Sequence, residues 1–230
     1  MPAVEEWLVS CAADTVTACL ERAASPGIGA VVVLAHGAGG HMNDRAMVAM
    51  ASLLHALGVH VVRFNFPYSE KGSRRPDAMP VLKACVAAVA ARARSALPND
   101  RLILGGRSMG GRAASMLVAD GFACDGMLLL AYPLHPAGKP EQLRDAHLPA
   151  IGVPVLCVNG TRDSLCRREL MDAVVERLSS HWRMHWVEGA DHGFHVPKSS
   201  GRTDADVLTE IGDVTRRFIN DELLARTRNA

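Results

Sequence analysis

Aromatic side chains are scarce in this chain: three tryptophans, two tyrosines and five phenylalanines make up 4% of 230 residues. They are not interleaved with basic residues in the pattern that stacks bases along a groove, and 25 lysines and arginines stand against 24 acidic residues. A formal net charge of +1 leaves no basic footprint, so the sequence excludes nucleic acid as a partner. Long apolar runs are also lacking, and none reaches the roughly 18 to 20 residues that span a bilayer. The opening Met1-Pro2-Ala3-Val4-Glu5-Glu6 has no basic segment of the secretory type, which predicts a cytoplasmic location. C-x-x-C spacing is absent among Cys11, Cys19, Cys85, Cys124, Cys157 and Cys166; several lie in apolar runs, where a free thiol packs as a small hydrophobe. They read as reduced core residues, and neither a metal nor a cofactor is expected. No repeat or low-complexity tract divides the chain, and its length suits one α/β domain over residues 1–230.

What is present is an alternation of buried-strand and amphipathic-helix patterns. Trp7-Leu8-Val9 and Thr15 to Leu20 read as short edge strands before a turn at Ser25-Pro26-Gly27. Ala30 to Ala35, Val59 to Asn65, Arg101 to Leu104, Gly126 to Ala131, Val153 to Val158 and Trp182 to Val187 read as strands. Between them, apolar residues three and four apart predict helices: Met47 to Leu57 after an N-cap at Asn43, Leu82 to Ala93, one beginning after Gly111, Leu170 to Leu178, and Val207 to Phe218. The proline-rich stretch from Tyr132 to Gly152 has room for one short helix around Glu141 to His147, and so for only a minimal cap. This order predicts an α/β fold: a mostly parallel central sheet with helices on both faces and sites at the carboxyl ends of its strands.

Gly106-Arg107-Ser108-Met109-Gly110 follows one of these strands and opens a helix. It reads G-x-S-x-G, the turn on which small neighbours let strand and helix approach closely around an exposed serine. A serine hydroxyl needs a base to take its proton and an acid to orient that base. Asp163 falls on the loop after the strand ending at Val158, and His192 on the loop after the last strand, so the order Ser108, Asp163, His192 is the one an elbow serine requires. Each residue alone has a plainer role, Asp163 as a turn or helix cap and His192 as a surface residue; it is their joint arrival at strand ends that carries the chemistry. His195 is the alternative base. Asp191 is the alternative acid, disfavoured because its adjacency to His192 makes the approach to Nδ1 awkward.

Backbone N–H groups must also face the oxygen that becomes negative, and Met109, just after the serine, and Ala38, in the loop His36-Gly37-Ala38-Gly39-Gly40, are the candidates. No P-loop lysine follows that loop, so a phosphate cradle is disfavoured. Arg107, Arg162, Arg74, Arg75 and Arg112 read as solvated or structurally paired cations, with recognition of a carboxylate-bearing substrate by Arg107 or Arg162 as the alternative.

With these residues in hand the chain resembles the α/β-hydrolase superfamily near its dienelactone-hydrolase-like branch. More narrowly, it is similar to the small family that includes the regulatory subunit 3 of the NSL histone-acetyltransferase complex, a testis-expressed homologue and many bacterial proteins. The resemblance rests on Leu34-Ala35-His36-Gly37-Ala38-Gly39, Arg63 to Tyr68, Gly106 to Arg112, Tyr132-Pro133-Leu134-His135-Pro136 with Gly138-Lys139-Pro140, Gly160-Thr161-Arg162-Asp163 and Asp191-His192. Arg107 stands where that family more often has lysine, and Gly193-Phe194-His195-Val196 is more apolar than its usual run. The resemblance implies a hydrolase fold and activity without naming a substrate. The sequence therefore predicts a serine hydrolase of the carboxylesterase or thioesterase kind, cleaving a small-molecule ester or thioester through an acyl-enzyme. The alternative is a non-catalytic interaction module that keeps the fold; a peptidase is disfavoured by the short Tyr132 to Gly152 insertion.

Overall fold

A computed structural model describes residues 4–11, 14–24 and 27–225. The first two strands, β1 (Val4–Cys11) and β2 (Asp14–Glu21), form an antiparallel ribbon at one edge of the sheet, longer than the sequence predicts. The expected turn at Ser25-Pro26-Gly27 falls, in its first two residues, outside the described residues. From β3 (Ala30–Ala35) onward strands and helices alternate: α1 (Arg45–Ala56), β4 (His60–Phe64), α2 (Pro67–Glu70), α3 (Met79–Ala96), β5 (Arg101–Arg107), α4 (Met109–Ala119), β6 (Gly126–Leu130), β7 (Val155–Gly160), α5 (Arg168–Val175), β8 (Trp182–Val187) and α6 (Asp204–Phe218). A π-helical stretch, Ile219–Leu224, continues α6.

The eight strands lie in the order β1-β2-β4-β3-β5-β6-β7-β8, with β2 antiparallel to β4 and every pair from β4 to β8 parallel. Because successive strand residues face opposite sides, each central strand feeds two cores. Val31, Val33, Leu102, Leu104, Met127, Leu129, Val155 and Cys157 pack under α3, α4 and α5. Val32, Leu34, Ile103, Leu128, Leu130, Leu156 and Val158 pack under α1 and α6. This two-sided burial explains the unbroken β-branched and leucine runs, each fully buried side chain contributing about 1.5 to 3 kcal/mol.

Local differences from the sequence reading have physical causes. Asn43 does not cap α1; Asp44 is the N-cap residue, without a side-chain cap bond, while Asn43 Oδ1 accepts from Arg63 Nη1 at 3.0 Å. The single turn α2, unanticipated, starts where Pro67 sits at a first helical position that needs no N–H. Strand β5 runs on through Gly105 and Gly106 to Arg107. The helix expected around Glu141 to His147 is absent; that segment is irregular and leads into one 3₁₀ turn, Leu148–Ala150. Tertiary bonds override its helical composition: Arg144 N donates to Leu134 O at 2.7 Å, and Tyr132 Oη donates to Arg144 O at 2.7 Å. Five of the six free cysteines are buried, and Cys124 is half-buried.

Candidate active site

The parallel strands β3, β5, β7 and β8 end on one rim, and their loops converge there. Ser108 sits between β5 and α4 at φ 53°, ψ −119°, a left-handed conformation that a non-glycine residue adopts only when its surroundings impose it. Glycines make that imposition feasible: a Cβ on Gly106 would lie 2.4 Å from Ala35 O, and one on Gly110 would lie 2.5 Å from the carbonyl oxygens of both Ala35 and His36. Strand β3 and helix α4 thus approach through space that only hydrogen can occupy, which turns the Ser108 side chain out of the sheet.

His192 Nε2 lies 3.0 Å from Ser108 Oγ, and its Nδ1 lies 2.8 Å from Asp163 Oδ2. With Nδ1–H donated to the carboxylate, Nε2 is the acceptor for the serine proton. The Asp163 side chain is fully buried, whereas the His192 ring is 24% exposed, so one end of the chain is fixed and the other open to a ligand. Asp163 is held from two further directions: Oδ1 accepts from Leu165 N at 2.8 Å, and Oδ2 accepts from Asn159 Nδ2 at 3.2 Å. Asn159, fully buried at the end of β7, also bonds both the N–H and the carbonyl of Tyr132 at 3.1 and 3.0 Å. It therefore ties the acid to the start of the Tyr132 to Gly152 insertion.

The alternatives fall elsewhere. Asp191 Oδ1 accepts from the N–H groups of Gly193 and His195, at 2.7 and 3.0 Å, and so staples the loop that carries His192. His195 is largely exposed and pairs with Asp204 at 2.7 Å. Arg162 reaches Gly189 O at 3.4 Å, and Arg74 and Arg75 are exposed. Arg107 turns toward the α1 and α6 side of the sheet, where Nη2 donates to His192 O at 2.9 Å.

The glycine loop after β3 stands beside the serine: a Cβ on Gly37 would lie 3.6 Å from Ser108 Cβ. Its shape is set by His36, fully buried, whose Nε2 accepts from Phe66 N at 3.2 Å, leaving Nδ1–H to donate to Gly37 O at 2.8 Å. Burial lowers the His36 pKa and keeps that ring neutral. Tyr68 Oη donates to the same carbonyl at 3.1 Å, and burial pushes the phenol up to about 12, so it remains a donor. Ala38, at the exposed tip of this turn, makes no backbone bond through its N–H among the described residues, nor does Met109 at the start of α4. No cluster of three His, Cys, Asp or Glu side chains among the described residues is arranged to hold a metal ion.

Three contributors were not assigned from the sequence. Asn159 had one local signal, a polar residue closing an otherwise apolar strand just before the acid loop; the aiming of His36 by Phe66 N and the bond from Arg107 to His192 O join segments far apart in the chain.

Comparison with known proteins agrees with this architecture. The described fold is shared with an alpha-beta serine hydrolase homologue from Coxiella burnetii (23% identity, TM-score 0.75, covering 93% of this chain and 96% of that one). It is shared too with a dienelactone hydrolase from Anabaena variabilis (17% identity, TM-score 0.75, 96% and 99%). A serine hydrolase without lid from Xanthomonas campestris is similar to the same degree (19% identity, TM-score 0.74, 96% and 95%). No described helix is long and apolar enough to cross a membrane. The family model for the alpha/beta hydrolase domain matches residues 29–220, from the start of β3 to the end of α6, and the chain belongs to that family of hydrolases.

Proposed function

We propose that the protein is a serine hydrolase that cleaves a small-molecule ester or thioester through Ser108, His192 and Asp163. The observation that carries this reading is the unbroken relay from Asp163 Oδ2 through both ring nitrogens of His192 to Ser108 Oγ, with contacts of 2.8 and 3.0 Å. In this mechanism His192 Nε2 takes the proton as Ser108 Oγ attacks the carbonyl carbon, and Asp163 stabilises the imidazolium without itself being protonated. The carbonyl oxygen, now negative, accepts from the N–H of Met109, at the positive end of α4, and from that of Ala38; donors of this kind are worth about 3 to 4 kcal/mol each. Collapse breaks the bond to the alcohol or thiol, which leaves with the proton from His192. Water, deprotonated by the same nitrogen, then releases the acid and restores the serine.

A fluorophosphonate probe should label the wild-type protein at Ser108 and leave a folded Ser108→Ala variant unlabelled. Failure of the folded wild-type protein to react would overturn the mechanism. A series of p-nitrophenyl esters differing in acyl length would then define the substrate class.

A further inference from the structure

A cavity of about 380 Å³ lies on the other side of Arg107 from the serine, between α1, α6 and the ends of β3 and β6. Ser108, Asp163 and His192 do not line it. Its walls are apolar, with Leu34, Met47, Met50, Leu130, Phe194 and Leu208 as the main surfaces, and its size is at the small end of the range for pockets that enclose organic ligands. Among the residues lining this apolar space is a half-buried cation, Arg107. Arg107 spends Nη2 on His192 O, but its Nε is buried with no acceptor among the described residues. No carboxylate stands within ion-pair distance of the guanidinium among those residues, and Asp163, Asp191 and Asp44 only partly offset the burial that lowers its pKa. At the mouth, Arg45 is likewise without an ion-pair partner among the described residues, while the carboxylate of Asp204 is engaged by His195.

A half-buried guanidinium stays charged, and its buried Nε favours an anion or a further acceptor. An apolar chamber with such a donor on its wall, and no carboxylate within ion-pair distance of it among the described residues, is complementary to a molecule with an aliphatic body and one anionic head. We propose that this cavity is a second ligand site, distinct from the Ser108 cleft, and that it binds a medium-chain carboxylate with its head on Arg107 and its chain against Met47, Met50 and Phe194. The inference does not depend on the hydrolase mechanism. Occupancy would put the ligand one guanidinium away from the backbone of His192.

The test is calorimetric titration of the full chain with octanoate, 1-octanol and octylammonium, three probes of equal chain length and different charge. Octanoate should bind saturably, and the alcohol and the ammonium at least about tenfold more weakly, the discrimination expected of a charge-assisted bond to arginine. Leu208→Trp, which fills the chamber from its rim on α6, should abolish octanoate binding, and Arg107→Gln should weaken it by a similar factor of about ten. Binding to protein already modified at Ser108, or to Ser108→Ala, should be unchanged. Equal affinity for octanoate and octanol, loss of binding on blocking Ser108, or no saturable binding of octanoate to the wild-type protein would each overturn the proposal. The comparison among the three probes needs no variant, so a variant that fails to fold leaves the proposal open to refutation.

Discussion

At the scale of single residues, the chemistry depends on groups that hold other groups. Ser108, Asp163 and His192 were legible as candidates because each has a characteristic residue type and each falls just after an apolar run, in a fixed order. The partners that aim them were not legible, because a hydrogen bond from Asn159 to Tyr132, or from Arg107 to His192 O, links positions whose proximity exists only after the sheet is assembled. On the proposed mechanism Asp163→Asn should lower kcat by about 10³ to 10⁴, since the amide no longer favours the tautomer in which Nε2 is free to accept. Asn159→Ala separates positioning from chemistry. It removes one bond to Asp163 and leaves the N–H of buried Tyr132 unpaired, the carbonyl keeping its bond from Leu134 N, so kcat should fall by about tenfold with little change in KM, while the fold loses about 1 to 3 kcal/mol. Kinetics with a p-nitrophenyl ester and a urea unfolding curve measure the two effects; an unchanged kcat in a destabilised protein would assign Asn159 to the fold alone.

At the scale of elements, the strands and long helices were legible because burial on both faces, or a stripe on one, is written in residue order. Irregular pieces were not. The segment Glu141 to His147 has helix-compatible composition, yet the bond from Arg144 N to Leu134 O and the one from Tyr132 Oη to Arg144 O hold it in an irregular path, and no window of seven residues contains that information. Likewise Asn43 has the type of an N-cap but is claimed by Arg63, which also forms a buried ion pair with Glu21 at 2.7 Å. The junction of β5 and α4 is the element most sensitive to a single atom. Gly110→Ala places a methyl group against two backbone carbonyls that cannot yield separately, so it should destabilise the fold by about 1 to 3 kcal/mol and move the serine. Gly152→Ala, where an added methyl meets nothing within 4 Å, should stay within about 0.5 kcal/mol of wild type. Comparing the two by urea denaturation tests the junction, and equal effects would deny it a special role.

For the molecule as a whole, two cores on a shared sheet place polar side chains where water cannot follow, and the response to acid reports that placement. Burial lowers the pKa of His36 and His60, and it takes His147 down to about 4 from 6.5, with the Arg112 charge adding to the effect. His147, on the Tyr132 to Gly152 insertion, places Nε2 2.8 Å from the Oγ of fully buried Ser115 on α4. The sign of the linkage follows from proton counts. Between pH 6.5 and about 4 the unfolded chain holds a proton on His147 that the native state refuses, so stability is fully present above that window and falls as the pH drops through it. The slope from this ring cannot exceed about 1.4 kcal/mol per pH unit, because a single proton distinguishes the two states. Urea midpoints measured between about pH 7 and 4 should therefore decline steadily in the wild-type protein, and His147→Gln should flatten the decline while leaving His36 and His60 to contribute the remainder. A variant whose midpoint falls with pH as steeply as wild type would mean that His147 is protonated in the native state without penalty, and that the space behind the insertion is open to water.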